Sequence, residues 1–279
     1  MAVKLFKPTT PGRRFASVSN WKNEVSKSEP EKSLLVSKNR KAGRNNQGKI
    51  TMRHRGGGAK RKIRIIDFLQ NKLNVPAKVI SIEYDPNRTG YIALLQYPDG
   101  EKRYIIASAD LKPGMEVINS DHRVEITPSN RMPLKDIPIG MQIHNLELVP
   151  GHGAIAVRSA GSWATVMAVE GNMAQVKMSS GEIRSIPSLA KASLGQVSNL
   201  DHRNVRLGKA GRHRHQGFRP TVRGKAMNPV DHPHGGGEGN QPIGMKHPKT
   251  PWGKPALGVL TRKKGKHSNR FILKSRKLK

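Results

Sequence analysis

The sequence predicts a mainly β protein: a small closed barrel and a second small β unit, set between long irregular basic arms. Three observations carry this. Short Ile-, Val- and Tyr-rich runs separated by turn residues fill the centre of the chain, no helical period runs through the first group of them, and charge is segregated. Residues 1–64 hold 18 Lys and Arg against 3 Asp and Glu, residues 65–200 hold 13 of each, and residues 201–279 hold 20 against 3. Net charges of +15, zero and +17 make up the formal +32. A neutral centre can fold by burying apolar surface, whereas arms this repulsive need a polyanion, and nucleic acid is the obvious one in a cell.

The boundaries that follow are a basic N-terminal arm over 1–60, a β-barrel over 61–127, a second barrel over 128–200 and a basic Gly/His-rich arm over 201–279. In the first arm Pro8, Pro11, Pro30 and the Gly/Asn-rich run Gly43–Gly48 interrupt any regular element. The barrel strands are expected at Ile63–Phe68, Lys78–Tyr84, Tyr91–Tyr97 and Arg103–Ala107. Asp85-Pro86-Asn87 with Gly90 makes one turn and Pro98-Asp99-Gly100 makes a hairpin loop. Closure removes exposed edges, which favours a barrel.

A linker with Pro128, Pro133 and Pro138 precedes the second unit. Its strands are expected at Gln142–Val149, Ala154–Val157, Ala164–Val169, Ala174–Met178 and Glu182–Ile186, with a short helix around Pro187–Leu194. Connections this short favour antiparallel pairing. After Leu200 periodicity disappears, and Gly, Pro, His, Lys and Arg dominate.

Composition excludes several chemistries. The chain has no cysteine, so it has no disulfide, thiolate zinc site or cysteine nucleophile. No apolar run approaches signal-peptide or membrane-spanning length, so no membrane association is expected and a cytoplasmic location is, with an organelle the exception. Gly43-x-x-x-x-Gly48-Lys49 matches most of a P-loop, but Ile50 stands where the magnesium-binding Ser or Thr belongs, and neither strand nor helix flanks it. Gly151-x-Gly153-x-x-Ala156 lacks the helix that would hold a pyrophosphate and is read as a turn. His213-x-His215 and His232-x-His234 each supply half a metal site, in an arm whose only carboxylates are Asp201, Asp231 and Glu238. No metal and no cofactor are expected.

The candidate RNA-binding residues lie in the arms. Around Gly56-Gly57-Gly58 stand Arg44, Lys49, Arg53, His54, Arg55, Lys60, Arg61, Lys62 and Arg64, where glycines let backbone N–H groups approach phosphates. Beyond Leu200 come Arg203, Arg206, Lys209, Arg212, His213, Arg214, His215, Arg219, Arg223 and Lys225, and later Lys263, Lys264 and Lys266. The stretch Ala226–Gly239 contains Asp231, His232, His234 and the triplet Gly235, Gly236, Gly237, read as a loop inserted into crowded RNA. Asp231 beside His232 has the residue types for general-base work, but no activated nucleophile stands near, so no catalytic residue is assigned and His232 is kept as a candidate.

Asn228-Pro-Val-Asp-His-Pro-His-Gly-Gly-Gly-Glu-Gly239 resembles the signature of large-subunit ribosomal protein two, of the bacterial type. Gly43–Thr51, His54-Arg-Gly-Gly-Gly58, Tyr84-Asp-Pro-Asn-Arg-Thr-Gly90 and Gly208-Lys-Ala-Gly-Arg212 resemble other motifs of that family in the right order. The resemblance implies an oligonucleotide-binding-type barrel, then an SH3-like barrel, then a long arm. It also implies primary binding to large-subunit ribosomal RNA near the peptidyl transferase centre, contact with small-subunit RNA across the subunit interface, and neighbouring ribosomal proteins as partners. Support of subunit association, tRNA binding and peptide-bond formation is implied too, with no enzyme activity of its own and no homo-oligomer. His232 matches the position most often proposed there for a catalytic role. Two rivals remain: a free-standing nucleic-acid-condensing protein, indifferent between DNA and RNA, and an RNA-acting enzyme using Asp231 and His232.

Overall fold

A computed structural model describes residues 3–276; residues 1–2 and 277–279, the outer ends of the two basic arms, lie outside the described residues. The chain is mainly β, with an oligonucleotide-binding-type and an SH3-like unit. Every strand-to-strand pairing between named strands is antiparallel among the described residues. The fold divides into two compact units that interleave in sequence. One holds residues 3–39, 60–209 and 270–276, and the other residues 40–59 and 210–269.

The N-terminal segment carries more structure than its composition suggests. Strand β1 (Val3–Leu5) pairs with β2 (Ser17–Ser19) across the short helix α1 (Pro11–Arg14), which starts on a proline whose missing N–H costs nothing there. Strand β3 (Leu35–Ser37) pairs with β4 (Lys62–Arg64), a pairing between distant segments that no local pattern announces.

The first barrel sheet uses β5 (Ala77–Glu83), β6 (Ile92–Gln96), β7 (Lys102–Ile106) and β8 (Glu116–Val117), in the order β7-β6-β5-β8. β5 starts in register, with Ala77 and Val79 buried and Lys78 and Ile80 outside. A bulge between Val79 and Ser81 then turns the strand, and Ser81, Ile82 and Glu83 are all buried. Hairpin β6–β7 turns on Pro98-Asp99-Gly100 as expected, the Gly100 N–H donating to the Tyr97 carbonyl at 2.9 Å.

The run Ile92–Leu95 is buried on both faces, which explains its lack of alternation. Ala93 and Leu95 join Val79, Ile82, Ile105 and Val117 in the barrel core, while Ile92 and Leu94 pack with Ile66, Tyr104, Ile106 and Val197. Because Val197 comes from the far side of the second barrel's sequence, that second cluster is the seam between the barrels.

The second sheet contains β9 (Arg131–Pro133), β10 (Gln142–His144), β11 (Ala164–Glu170), β12 (Met173–Lys177), β13 (Ile183–Pro187), β14 (Lys191–Leu194) and β15 (Ile272–Lys274), ordered β15-β13-β12-β11-β10-β14-β9. Its core is Met132, Leu134, Ile143, Leu146, Val166, Val176, Ile186 and Leu194 with several alanines. Arg131 is fully buried within it, donating to Glu147 Oε1 at 2.9 Å and to the Asn145 carbonyl at 2.8 Å, while Glu147 Oε2 accepts the Lys191 N–H at 3.1 Å.

Four expectations change here, the first being the strand at Ala154–Val157, which is reduced to a single bridge between Ala156 and Leu146. Pro187–Leu194 is not a helix: Ala190 N–H closes a turn on the Pro187 carbonyl at 2.9 Å, and Lys191–Leu194 then pairs with both β9 and β10, burying Ala192, Ser193 and Leu194. The expected linker contains β9, with Pro133 at its end on the sheet edge, where a missing N–H is tolerated. The last segment is not wholly irregular, because β15 pairs with β13. Among the described residues no helix is long and apolar enough to cross a membrane.

Candidate nucleic-acid interface

The second compact unit is built almost without apolar burial. His232, 7% exposed, is its one buried residue. Backbone hydrogen bonds hold it together instead. Gly56 N–H donates to the Gly217 carbonyl and Ala59 N–H to the His215 carbonyl, both at 3.0 Å, and Arg219 N–H donates to the His54 carbonyl at 3.0 Å. Gly58 shows why glycine is needed: it sits at φ +82°, and a Cβ there would lie 3.0 Å from the Gly217 backbone. These bonds zip the first basic segment against the helix α2 (Ala210–His215) and the residues after it.

The side chains follow that frame. Arg55 lies 3.9 Å from the Phe218 ring centroid, and His213 stacks on Phe218 at 4.4 Å with an interplanar angle of 7°. Arg53 lies 5.1 Å from the Trp252 ring centroid. Arg214 donates to the Phe218 carbonyl at 3.3 Å, and Lys225 to the Asn240 carbonyl at 3.5 Å. Arg44, Lys49, Arg53, His54, Arg214, His215, Arg219, Arg223, Lys263, Lys264 and Lys266 are exposed, whereas Arg212 and Lys225 are half-buried. The unit carries 18 Lys and Arg against Asp231 and Glu238, so nothing within it can neutralise that charge.

The glycine-rich loop folds on itself. His232 N–H donates to the Asn228 carbonyl at 3.2 Å, and His232 Nδ1 accepts the His234 N–H at 3.0 Å. His234 Nε2 accepts the Lys249 N–H at 2.7 Å. One ring nitrogen of each histidine is thus occupied by backbone, leaving no lone pair there for a metal. No group of three potential metal ligands occurs among the described residues. Asp231 makes no side-chain bond to His232 among the described residues. A Cβ on Gly235 would sit 2.3 Å from the Asn228 carbonyl oxygen, so the loop itself demands a glycine there.

The first unit holds Lys60, Arg61, Lys62, Arg64, Arg203, Arg206 and Lys209. Arg61 is tied to the Pro86 carbonyl at 2.8 Å, and Lys60, Lys62, Arg203, Arg206 and Lys209 are exposed. Arg64 is turned inward, 9% exposed, donating to the Lys62 carbonyl at 3.3 Å and lying beside the buried Tyr104–Glu83 pair. Burial, with donation to Glu83 adding to it, keeps that Tyr104 hydroxyl well above its ordinary pKa.

Sequence reasoning did not single out a second basic feature at the barrel seam. The guanidiniums of Arg88 and Arg158 both pack on Phe68, at 5.1 and 4.6 Å from its ring centroid. Arg88 is paired with Asp85 at 3.2 Å; burial lowers its pKa most, Asp85 opposes this, and Arg158 adds to the lowering. Two like charges are therefore held close, with the buried Asp85 carboxylate paired to Arg88. Val157, next to Arg158, has φ +54°, strained for a β-branched residue, with its carbonyl accepting the Asn145 N–H at 2.9 Å. The motif Tyr84–Gly90 contained Arg88, but nothing local paired it with Arg158.

Residues 31–119 match the family model for the RNA-binding N-terminal domain of ribosomal proteins L2, and residues 127–253 match the model for their C-terminal domain. The chain belongs to the ribosomal protein L2 family, whose members are structural, RNA-binding components of the large ribosomal subunit.

Proposed function

We propose that this chain binds large-subunit ribosomal RNA close to the peptidyl transferase centre and supports subunit association, tRNA binding and peptide-bond formation without performing the chemistry. Its exposed cations in the second unit, facing only Asp231 and Glu238, carry the reading, because such a surface is stable only against a polyanion. The Arg88–Phe68–Arg158 cluster at the seam adds a folded RNA-binding feature to those of the basic segments. Arg64, being inward, acts through β4 rather than on phosphate.

His232 is a loop-building residue. Its ring fills the space beside Gly224, where a Cβ would meet it at 2.5 Å, and its Nδ1 serves the backbone. His232→Ala should therefore loosen the loop and impair function in part. Fully assembled particles that lose peptide transfer by many orders of magnitude in that variant would make it an acid–base group instead.

Sedimentation of a cell extract through a gradient, with detection of this chain in each fraction, tests the assignment. The chain is expected in the large-subunit and whole-ribosome fractions, leaving them only at high salt. Recovery solely at the top of the gradient would overturn it.

A further inference from the structure

We propose that the exposed face of His213 receives an unpaired nucleobase, extending a stack of planar groups already built into the protein. The inference rests on the RNA-binding reading and names what one part of that surface recognises.

Phe218 is held between two flat partners, the Arg55 guanidinium at 3.9 Å from its centroid and the His213 ring at 4.4 Å and 7°. Both ends are fixed by backbone. Arg55 and Phe218 form an antiparallel bridge, Phe218 N–H donates to the His213 carbonyl at 3.4 Å, and Arg214 holds the Phe218 carbonyl at 3.3 Å. Arg55 and Phe218 are half-buried, but His213 is exposed, and among the described residues no further aromatic ring covers its outer face. A stack with one open end offers a flat apolar surface that a further planar ring can extend.

The surroundings specify the ligand. Residues 40–59 and 210–230 contain no Asp or Glu, and exposed Arg214 and Arg219 flank the stack. The occupant must therefore bring both a planar π-face and negative charge, which is the chemistry of a nucleotide. Bases inside a duplex already have both faces covered, so the site selects one splayed out of a single-stranded segment or loop.

The test uses the full-length chain and a short single-stranded RNA carrying 4-thiouridine, irradiated and mapped by mass spectrometry. A cross-link is expected on the peptide containing His213, retained in His213→Phe and lost in His213→Ala. At a pH slightly above neutrality, His213→Ala should bind the same RNA roughly five- to a hundredfold more weakly with an unchanged salt slope, since a stacking partner is removed and every phosphate-binding cation is kept. His213→Phe, which keeps the ring on Phe218, should bind nearly as tightly as the natural protein and controls for folding. Tight, salt-sensitive RNA binding that neither cross-links at His213 nor changes in His213→Ala would overturn the stacking site alone. Failure of the natural protein to bind the RNA at any salt concentration would overturn the RNA-binding reading with it.

Discussion

The two compact units of this chain are stabilised by different means. The first buries Ile, Val, Leu and Tyr in three clusters, and even its buried charge, Arg131, is held by Glu147 and Asn145. The second buries only His232 and is assembled from backbone hydrogen bonds, Arg–aromatic pairs and glycines packed against backbone. Water competes for every one of those polar bonds, so each contributes little net stability, while the dense positive charge opposes the compact state. The contrast separates a folded platform from a basic surface that, under the proposed function, is stabilised by RNA.

The largest expected effect lies in the platform. Arg131→Met should destabilise the first unit by about 3–5 kcal/mol, because Glu147 is left buried without its partner. Denaturant unfolding checks this, and the salt slope of RNA binding should stay unchanged; a shallower slope would mean that the units are not separable. Next comes His144, fully buried with burial holding its pKa down to about 4. The neutral form is the folded one, so its contribution is complete above the ordinary histidine pKa of about 6.5 and is lost as pH falls towards 4, about 3 kcal/mol in all. Unfolding free energies measured across that window should lose most of this slope in His144→Gln.

A third expected effect sharpens the comparison from the basic side. Neutralising the exposed Arg44, Lys49, Arg53 and Arg219 of the second unit together should make the plot of log affinity against log salt shallower by roughly 0.7–0.9 for each phosphate no longer neutralised. The first unit should keep its unfolding midpoint, and an unchanged slope would place these residues away from RNA. Smallest is Gly235→Ala, which forces a Cβ onto the Asn228 carbonyl and should cost about 1–3 kcal/mol of local strain. It should weaken RNA binding without moving the unfolding of the barrels.

The barrels were legible in the sequence because their signals are local: apolar runs and turn residues at Asp85–Asn87 and Pro98–Gly100. Strands β9, β14 and β15 escaped because short segments gain strand character only from neighbours far away in the chain, as Lys191–Leu194 does between β9 and β10. The charged segments were visible as charge, yet the backbone pairing of residues 55–59 with 215–218 leaves no periodic trace. Composition cannot distinguish exposed Lys62 from inward Arg64, nor bring Arg88 and Arg158 to the same phenylalanine. The requirement for Gly235 was visible, but its partner was read as RNA, whereas the loop's own Asn228 already demands it.

Amide hydrogen exchange, measured on the free chain and again on the same chain in assembled large subunits, tests the division between platform and RNA-dependent surface most directly. Amides of the two barrel sheets should be protected in both samples. Those of residues 40–59 and 210–269 should exchange rapidly in the free chain and become protected only in the particle. Equal protection of both units in the free chain, or exchange in residues 210–269 unaffected by assembly, would contradict that division.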